Sequence, residues 1–399
     1  MRSFPILLLV IFLLIYSFLC YTSLKSVVGS VSTANKRKVG WLIIILSIVI
    51  IVSFVFLYIW PFNARNTKNY SVHLIYNAIL SIDFVFKIPL SLSFLLGSFF
   101  PTKKKPVIYM MGLLLSVALS SSVVYGSLFG RNDLVVNNIE LEYPNLPKNY
   151  HEFKILQLSD THLGNFFNSK KLMHKVKEET DRINPDLILF TGDLVNNFSS
   201  ELDGWEAIFQ EINKNRESYS ILGNHDYGNY TNWKSEIDKA ENFKQIISSH
   251  QTLGFILINN NHVKLKLGTD SLYIIGVENW GHPPFPQYAN LEQAMKGIPE
   301  NTFKILLSHD PAHWEQIIKF RNDIGLTLSG HTHGMQWGIK KAGFTFSLSY
   351  LTRENWGGLY KYGSSQLYVN TGIGTVGIPW RINMPGELTV ITLKRIEVD

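Results

Sequence analysis

The sequence has little of what several classes of protein require. Its 399 residues include one cysteine, Cys20, so an intramolecular disulfide framework and a cysteine-based zinc site are excluded. Charged residues make up only 17% of the chain, against 46% hydrophobic residues. Much of the net charge of +6 comes from short basic clusters in the apolar N-terminal third, which indicate membrane topology. We therefore expect no nucleic-acid binding.

Four apolar runs in the first 130 residues are long enough to cross a bilayer, which takes roughly 20 residues in a helix. They cover residues 4–21, 41–60, 75–100 and 107–129. The second run contains no charge and is bounded by Trp41 and Trp60, which suit the two membrane interfaces. We therefore predict a transmembrane region of about four helices over residues 1–130, and a multi-pass protein of the cell membrane.

Two runs allow a second interpretation. The first could be a cleaved signal peptide or a lipoprotein signal, but bulky Phe18 and Leu19 precede Cys20 where small residues would be expected. A retained helix is favoured. The third run contains Asp83 and Lys87, which share one helix face because they are four residues apart. They could form a polar or transport site, but an ion pair that locks the helices together is favoured.

The basic clusters predict the orientation of the helices, because cytoplasmic loops are enriched in lysine and arginine. The loops after the first and third runs contain Lys25, Lys36, Arg37, Lys38, Lys103, Lys104 and Lys105. The opposite side receives Arg2, Arg65, Lys68 and Arg131. With four helices, both termini lie outside the cytoplasm, so we predict an extracytoplasmic C-terminal domain. This prediction depends on the number of helices.

After a predicted linker over residues 131–149, which contains Pro144 and Pro147, the pattern changes to short apolar runs that end in polar residues. Such runs predict buried strands. The predicted strands are 153–159, 187–191, 219–222, 272–277, 303–308, 327–329, 367–369 and 388–393, and a helix is predicted over 170–183. We predict an α/β domain over residues 150–399, a helix-covered sandwich.

Five polar clusters follow these strands, where ligand-binding groups gather in open α/β sheets. They are Asp160 with His162, Gly192 with Asp193, the run Gly223, Asn224, His225 and Asp226, His309 with Asp310, and the run Gly330, His331, Thr332 and His333. Buried imidazoles and carboxylates at adjacent strand ends must be paired or bound to metal. Their order along one chain makes coincidence a poor explanation.

In this order the clusters resemble the calcineurin-like metallophosphoesterase superfamily. The resemblance implies a four-layer α/β/β/α sandwich and two metal ions. It implies that Asp160, His162 and His333 hold one ion, that Asn224, His309 and His331 hold the other, and that Asp193 bridges both. Gly334, Gln336 and residues 367–387 resemble the membrane-associated bacterial subgroup. Met335 and Asn196 depart from the pattern, and neither is a predicted ligand.

The predicted chemistry is hydrolysis of a phosphoester by a hydroxide that bridges two divalent ions. Histidine, aspartate and asparagine ligands suit manganese, iron or zinc alike. We predict that His225 protonates the leaving oxygen or contacts the phosphoryl group, and that Asp226 orients its ring. A structural histidine beside the site is the alternative for His225. His282 could border the pocket, but an exposed loop histidine is favoured. An apolar substrate channel could be lined by aromatic residues, although core packing is the more common role of such residues: Trp280, Phe285, Trp337, Trp356 and Trp380.

The favoured function is therefore a membrane-tethered, metal-dependent phosphoesterase. Its substrate could be lipid-linked, because a tether concentrates the site at the bilayer surface. A pyrophosphohydrolase of UDP-2,3-diacylglucosamine in lipid A biosynthesis is one alternative, but it needs a cytoplasmic active site. A non-catalytic membrane sensor or scaffold is the alternative from another class, and it would predict missing ligands.

Overall fold

The computed structural model describes residues 6–28, 67–281, 285–341 and 344–396, and part of the segment from 38 to 52. The chain forms two compact units. The first comprises Met1–Leu128 and Gly377–Trp380, and the second comprises Phe129–Val376 and Arg381–Asp399. Each is built from a different kind of sequence, apolar helices in the first and short strands in the second.

The first unit contains three fully described helices, α1 (Ile6–Val28), α2 (Thr67–Ser98) and α3 (Lys105–Leu128). Within the described residues, Ser71–Ser98 and Lys105–Asn132 are long and apolar enough to cross a bilayer by length and composition. The predicted second span, residues 41–60, lies largely outside the described residues. These helices support membrane association, and the number of four spans stays a prediction.

The ion pair predicted between Asp83 and Lys87 is present in α2. The Lys87 ammonium lies 2.7 Å from Asp83 Oδ1, and it donates hydrogen bonds to the hydroxyls of Ser47 at 3.0 Å and Ser17 at 3.4 Å. The charged pair lies within one helix and does not itself join two helices, but the ammonium reaches Ser17 of α1 and Ser47 through hydrogen bonds. These partners satisfy the buried Lys87 ammonium, as a structural role for the ion pair requires.

The second unit is a mixed α/β domain. Its strands are β1 (Leu134–Tyr143), β2 (Phe153–Leu158), β3 (Leu187–Phe190), β4 (Glu217–Ser220), β5 (Ile256–Leu257), β6 (Asn261–Leu267), β7 (Asp270–Gly276), β8 (Lys304–Leu307), β9 (Leu326–Ser329), β10 (Gly338–Lys341), β11 (Phe344–Ser347), β12 (Gly358–Tyr362), β13 (Ser365–Val369) and β14 (Gly386–Arg395). Its α-helices are α4 (Lys171–Ile183), α5 (Glu206–Asn213), α6 (Glu236–Thr252), α7 (Leu291–Met295) and α8 (Ala312–Gln316).

The strands form two six-stranded sheets and one hairpin. The first sheet has the order β1, β14, β2, β3, β4, β5, and the second has the order β12, β13, β9, β8, β7, β6. Strands β2 to β5 are parallel to one another, as are β13, β9, β8 and β7. The carboxyl ends of neighbouring parallel strands therefore meet at one edge of each sheet, which places the residues that follow them together.

Alternation along the strands creates the layers of the domain. In β3, Leu187 and Leu189 face a core shared by both sheets, whereas Ile188 and Phe190 face a core with α4, α5 and α6. On the second sheet, Leu306 packs in a third core with α7 and α8. Successive side chains of a strand point to opposite faces, so each sheet contacts its partner sheet on one side and helices on the other.

The predicted linker, residues 131–149, is instead largely strand. Strand β1 pairs in parallel with β14 along its whole length, from Leu134 opposite Gly386 to Tyr143 opposite Arg395. Leu141 and Tyr143 are buried in the core between the sheets. The prolines that suggested a linker follow this strand, and its partner lies at the other end of the sequence, so the local pattern did not reveal the pairing.

Candidate metal centre

The chain turns sharply where the predicted ligands follow their strands. Five non-glycine residues there have positive φ angles in the left-handed region, which such residues rarely adopt. They are Asp160 (52°), His162 (46°), Asp193 (60°), His331 (73°) and His333 (50°). Each such residue costs on the order of 1–3 kcal/mol, and strain of this kind concentrates at functional sites. These strained turns direct the five side chains to one place.

The first cluster contains Asp160, His162 and His333, whose candidate ligand atoms all lie within 4.8 Å of one another. The Nε2 atoms of His162 and His333 are 3.0 Å apart. His333 Nε2 also lies 3.3 Å from Asp160 Oδ1. All three side chains are buried, so bulk water cannot solvate the charge of the carboxylate.

The second cluster contains Asp193, His309 and His331, again within 4.8 Å of one another. Asn224 belongs with them, because its Oδ1 lies 3.1 Å from His309 Nε2 and 2.8 Å from His331 Nδ1. Asp193 Oδ2 lies 3.2 Å from His309 Nε2 and 3.5 Å from His162 Nε2. This carboxylate therefore touches both clusters.

The electrostatics of the clusters favour bound cations. Burial holds the pKa of His162 well below its ordinary value, so its ring is neutral and offers a lone pair. Although burial lowers the pKa of His309, the Asp193 carboxylate raises it to about 10. Two imidazole nitrogens at 3.0 Å and buried carboxylates require positive charge between them. Nitrogen and oxygen donors in this arrangement fit two divalent ions such as manganese, iron or zinc.

Two glycines of the predicted motifs are required by close packing at the clusters. A Cβ atom on Gly223 would lie 2.2 Å from Asp193 Oδ1, and one on Gly330 would lie 2.2 Å from Asp160 Oδ2. Any side chain at either position would displace a candidate ligand. The glycines thus let the segments that follow β4 and β9 approach the carboxylates.

His225 lies at the edge of the clusters. Its backbone N–H donates to Asp193 Oδ1 at 2.8 Å, and its ring Nδ1 lies 2.9 Å from the carbonyl oxygen of Asn196. Its ring meets that of His162 edge-on, with centroids 4.8 Å apart. The structure thus brings His225, which is half-buried, to the predicted ligands.

The structure corrects the predicted contact of Asp226 with the His225 ring. The Asp226 carboxylate accepts hydrogen bonds from the backbone N–H groups of Gly223, Asp193, Leu194 and Val195, at 2.8 to 3.2 Å. Burial and the nearby Asp193 raise its pKa to about 7. The residue follows His225 directly, but the turn directs its carboxylate inward. Asp226 therefore fixes the loop that carries Asp193.

Asp310 and Arg353 form a charged pair beside the second cluster. Arg353 Nη1 donates to Asp310 Oδ1 at 2.9 Å, and its Nη2 lies 2.9 Å from His331 Nε2. Although burial raises the pKa of Asp310, His331 and Arg353 lower it to about 2. Asp310 belongs to a predicted polar cluster but had no predicted role, and Arg353 lies in a loop without a motif that could have indicated it.

Arg381, which belongs to the segment that resembles the membrane-associated subgroup, is buried beside the first cluster. Its guanidinium donates to the carbonyl oxygens of Thr371, Gly372 and Gly374, and it lies 3.4 Å from His333 Nδ1. It thereby holds the loop after β13 against this cluster. A buried charge that is satisfied by main-chain oxygens carries no local sequence signal.

The predicted aromatic residues do not share one environment. Trp280 stacks on His313 with centroids 4.4 Å apart, Trp337 packs edge-on against Phe346, and Trp356 is buried. Trp380 belongs to the first unit. Phe285 is exposed and lies 6.4 Å from the ring of Tyr230, which in turn contacts His225. His282 lies outside the described residues.

Comparison with known proteins identifies similar sequences. Residues 153–335 match the model of the calcineurin-like phosphoesterase family. The metallophosphoesterase YkuE of Bacillus subtilis (strain 168) is 30% identical over 253 residues, which cover 62% of this chain and 82% of YkuE. A transmembrane protein with metallophosphoesterase domain from Danio rerio is 29% identical over 282 residues, or 68% of this chain and 60% of that protein. A Bos taurus protein of the same description is 28% identical over 316 residues, or 75% and 65%. The chain thus matches less than two thirds of the length of these two transmembrane relatives.

Proposed function

Because the chain belongs to the calcineurin-like phosphoesterase family, we propose that it is a membrane-tethered phosphoester hydrolase whose two metal sites are the clusters above. Asp160, His162 and His333 hold one ion, and Asn224, His309 and His331 hold the other. The observation that carries this assignment is the position of Asp193, whose Oδ2 lies 3.5 Å and 3.2 Å from one histidine nitrogen of each cluster. A carboxylate oxygen that lies close to both sites suits a ligand shared by two ions.

When bound, two divalent ions supply Lewis acidity, lower the pKa of a bound water and neutralise phosphoryl oxygens. The chain itself positions the reacting groups. In the neutral ring of His225, Nδ1–H donates to the carbonyl oxygen of Asn196, at 2.9 Å. Since this contact uses one ring nitrogen, Nε2 is the atom that exchanges a proton with the leaving oxygen or contacts the phosphoryl group.

Asp226 and Arg381 hold the frame around this chemistry. Asp226 fixes the backbone that carries Asp193 through its four N–H contacts. Arg381 holds the loop beside His333 through main-chain oxygens. Preorganised ligands of this kind do not have to move when charge develops on the substrate, which is where electrostatic stabilisation is most effective.

The tether favours a substrate at the bilayer surface, and we propose a lipid-linked phosphoester on the extracytoplasmic side. Confinement to the membrane raises the local concentration of such a substrate. A cytoplasmic lipid A precursor would require the opposite orientation of the second unit. A non-catalytic sensor or scaffold would tolerate lost ligands, whereas all seven proposed ligand residues are present in the sequence.

The proposal is tested with the full chain purified in detergent micelles and loaded with manganese. Phosphomonoesters, diesters, nucleotides and phospholipids are assayed beside the Asp193→Ala variant, with Asp203→Ala, an exposed aspartate, as the matched control. We expect metal-dependent turnover of at least one ester, lowered by at least about a hundredfold in Asp193→Ala and unchanged in Asp203→Ala. A folded protein that binds two ions and hydrolyses no ester would overturn the proposal.

A further inference from the structure

Tyr230 lies beside both the second cluster and His225, although no motif includes it. It follows the turn His225–Tyr227, and its backbone N–H donates to Asn197 Oδ1 at 3.0 Å. The residue is 45% exposed, so burial in a core does not explain its position. Each end of the side chain contacts a different group of the proposed site.

The hydroxyl of Tyr230 contacts the amide of Asn224. Asn224 Nδ2 donates to Tyr230 Oη at 2.7 Å, while Asn224 Oδ1 faces His309 and His331. A neutral amide offers a cation its oxygen, since its nitrogen carries two hydrogens and acts only as a donor. When Oδ1 faces the second ion, Nδ2 must point away and needs an acceptor. Tyr230 Oη is that acceptor.

The ring of Tyr230 contacts the ring of His225. The two are stacked with centroids 4.3 Å apart and an angle of 22° between their planes. His162 meets His225 edge-on at 4.8 Å, and Nδ1 of His225 is held by Asn196. Together these contacts restrict rotation of the His225 ring. They keep its Nε2 in one direction.

We propose that Tyr230 is a positioning residue with two separable roles. This inference rests on the proposed function. Through its hydroxyl it fixes the Asn224 amide with its oxygen toward the second metal ion. Through its ring it fixes His225 for proton transfer to the leaving oxygen. The first role governs ion affinity, and the second governs turnover of substrates whose leaving group needs a proton.

Two substitutions of Tyr230 separate these roles in the full chain. Tyr230→Phe removes the hydroxyl and keeps the ring, whereas Tyr230→Leu removes both. Tyr362→Phe is the matched control, because Tyr362 is an exposed tyrosine of β12 whose ring packs near Phe320 at 5.6 Å. Manganese binding to the chelator-stripped protein is followed by titration calorimetry, which needs no turnover.

We expect both Tyr230 variants to bind one of the two manganese ions about tenfold more weakly, as loss of a group that orients a ligand typically does. Turnover at saturating manganese is then compared between an alkyl phosphoester and a 4-nitrophenyl phosphoester. The 4-nitrophenolate leaves without a proton, so only the alkyl ester depends on proton transfer from His225. Tyr230→Leu should lose about tenfold or more on the alkyl ester relative to the nitrophenyl ester, and Tyr230→Phe should not.

Three results would overturn the proposal. Unchanged manganese affinity in both variants removes the hydroxyl role. Equal losses on the two esters in Tyr230→Leu remove the ring role, and a similar change in Tyr362→Phe shows a general effect of losing a tyrosine hydroxyl. If the wild type binds two ions but cleaves neither ester, the proposed function fails, while the calorimetry still decides the role of the hydroxyl.

Discussion

At the scale of single residues, Arg353 shows how binding of a cation would rearrange a hydrogen bond. In the structure its Nη2 lies 2.9 Å from His331 Nε2. If His331 binds the second ion through Nδ1, which faces Asn224, the ring hydrogen must lie on Nε2. Arg353 then loses an acceptor there but keeps its pairing with Asp310. One side of a partly exposed guanidinium becomes available to an anion beside the site.

This leads to a prediction for Arg353→Gln. We expect the Michaelis constant for an ester substrate, and the inhibition constant for inorganic phosphate, to rise about tenfold, because a charge-assisted hydrogen bond contributes roughly 1.5–3 kcal/mol. Manganese content should stay unchanged. The measurement is phosphate competition in steady-state kinetics. The control is Arg321→Gln, since Arg321 pairs with Asp323 on the surface. Unchanged phosphate inhibition in Arg353→Gln would rule out this contact.

At the scale of secondary-structure elements, a buried histidine joins a helix to a strand. His250 lies near the end of α6, fully buried, and its Nδ1 is 2.8 Å from the hydroxyl of Ser220 in β4. Its Nε2 has no hydrogen-bond partner within the described part of the chain. Burial lowers its pKa to about 4. The contact between α6 and β4 therefore depends on a neutral imidazole.

A pH dependence of stability follows from this burial. The unfolded chain takes up the proton near pH 6.5, and the folded chain does so only near pH 4. Stability is thus fully present above about pH 6.5 and falls as the pH drops toward 4, by about 3 kcal/mol in total. We expect the melting temperature of wild type to fall more between pH 7.5 and 5 than that of His250→Gln.

The control for this prediction is His174→Gln, which replaces an exposed histidine of α4. It should melt with the same pH dependence as wild type. The candidate metal ligands also titrate, but they are common to all three proteins, so the difference between variants isolates His250. Equal pH dependence in His250→Gln and wild type would contradict the prediction.

The sequence predicted the elements that carry a repeated local pattern. Strands β2, β3 and β8 begin and end within one residue of the predicted runs, because a buried parallel strand is a short apolar run that ends in polar residues. The same pattern located the candidate ligands, six of which lie in two clusters in the structure. It could not locate Arg353, which contacts a histidine 22 residues away in sequence through a loop without periodicity.

Long-range pairing and turn geometry explain the remaining differences. Strand β1 has its partner at the far end of the chain. Its local sequence, followed closely by two prolines, therefore resembled a linker. Asp226 follows His225 in sequence, which suggested contact with its ring, but the backbone turn directs the carboxylate to N–H groups. Adjacency in sequence predicts direction only where the backbone is regular.

At the scale of the whole molecule, the side of the membrane on which the second unit lies decides which substrates can reach it. The second unit begins at Phe129, directly after α3, within the apolar helical stretch Lys105–Asn132. Lys103, Lys104 and Lys105 precede or begin this stretch. A basic cluster favours the cytoplasmic side, so if this stretch spans the membrane, it should carry the chain outward.

We therefore predict that a C-terminal epitope tag on the full chain is removed by protease added to intact cells. Changing Lys103, Lys104 and Lys105 to alanine should leave part of the tag protected, because the charges that hold the loop in the cytoplasm are lost. Changing Lys394, a surface lysine of β14 near Glu140 and Glu152, to alanine should leave accessibility unchanged. A tag that is protected in wild type and exposed only after lysis would place the second unit in the cytoplasm. The proposed extracytoplasmic substrate would then be ruled out, and a cytoplasmic lipid precursor would become the substrate to test first.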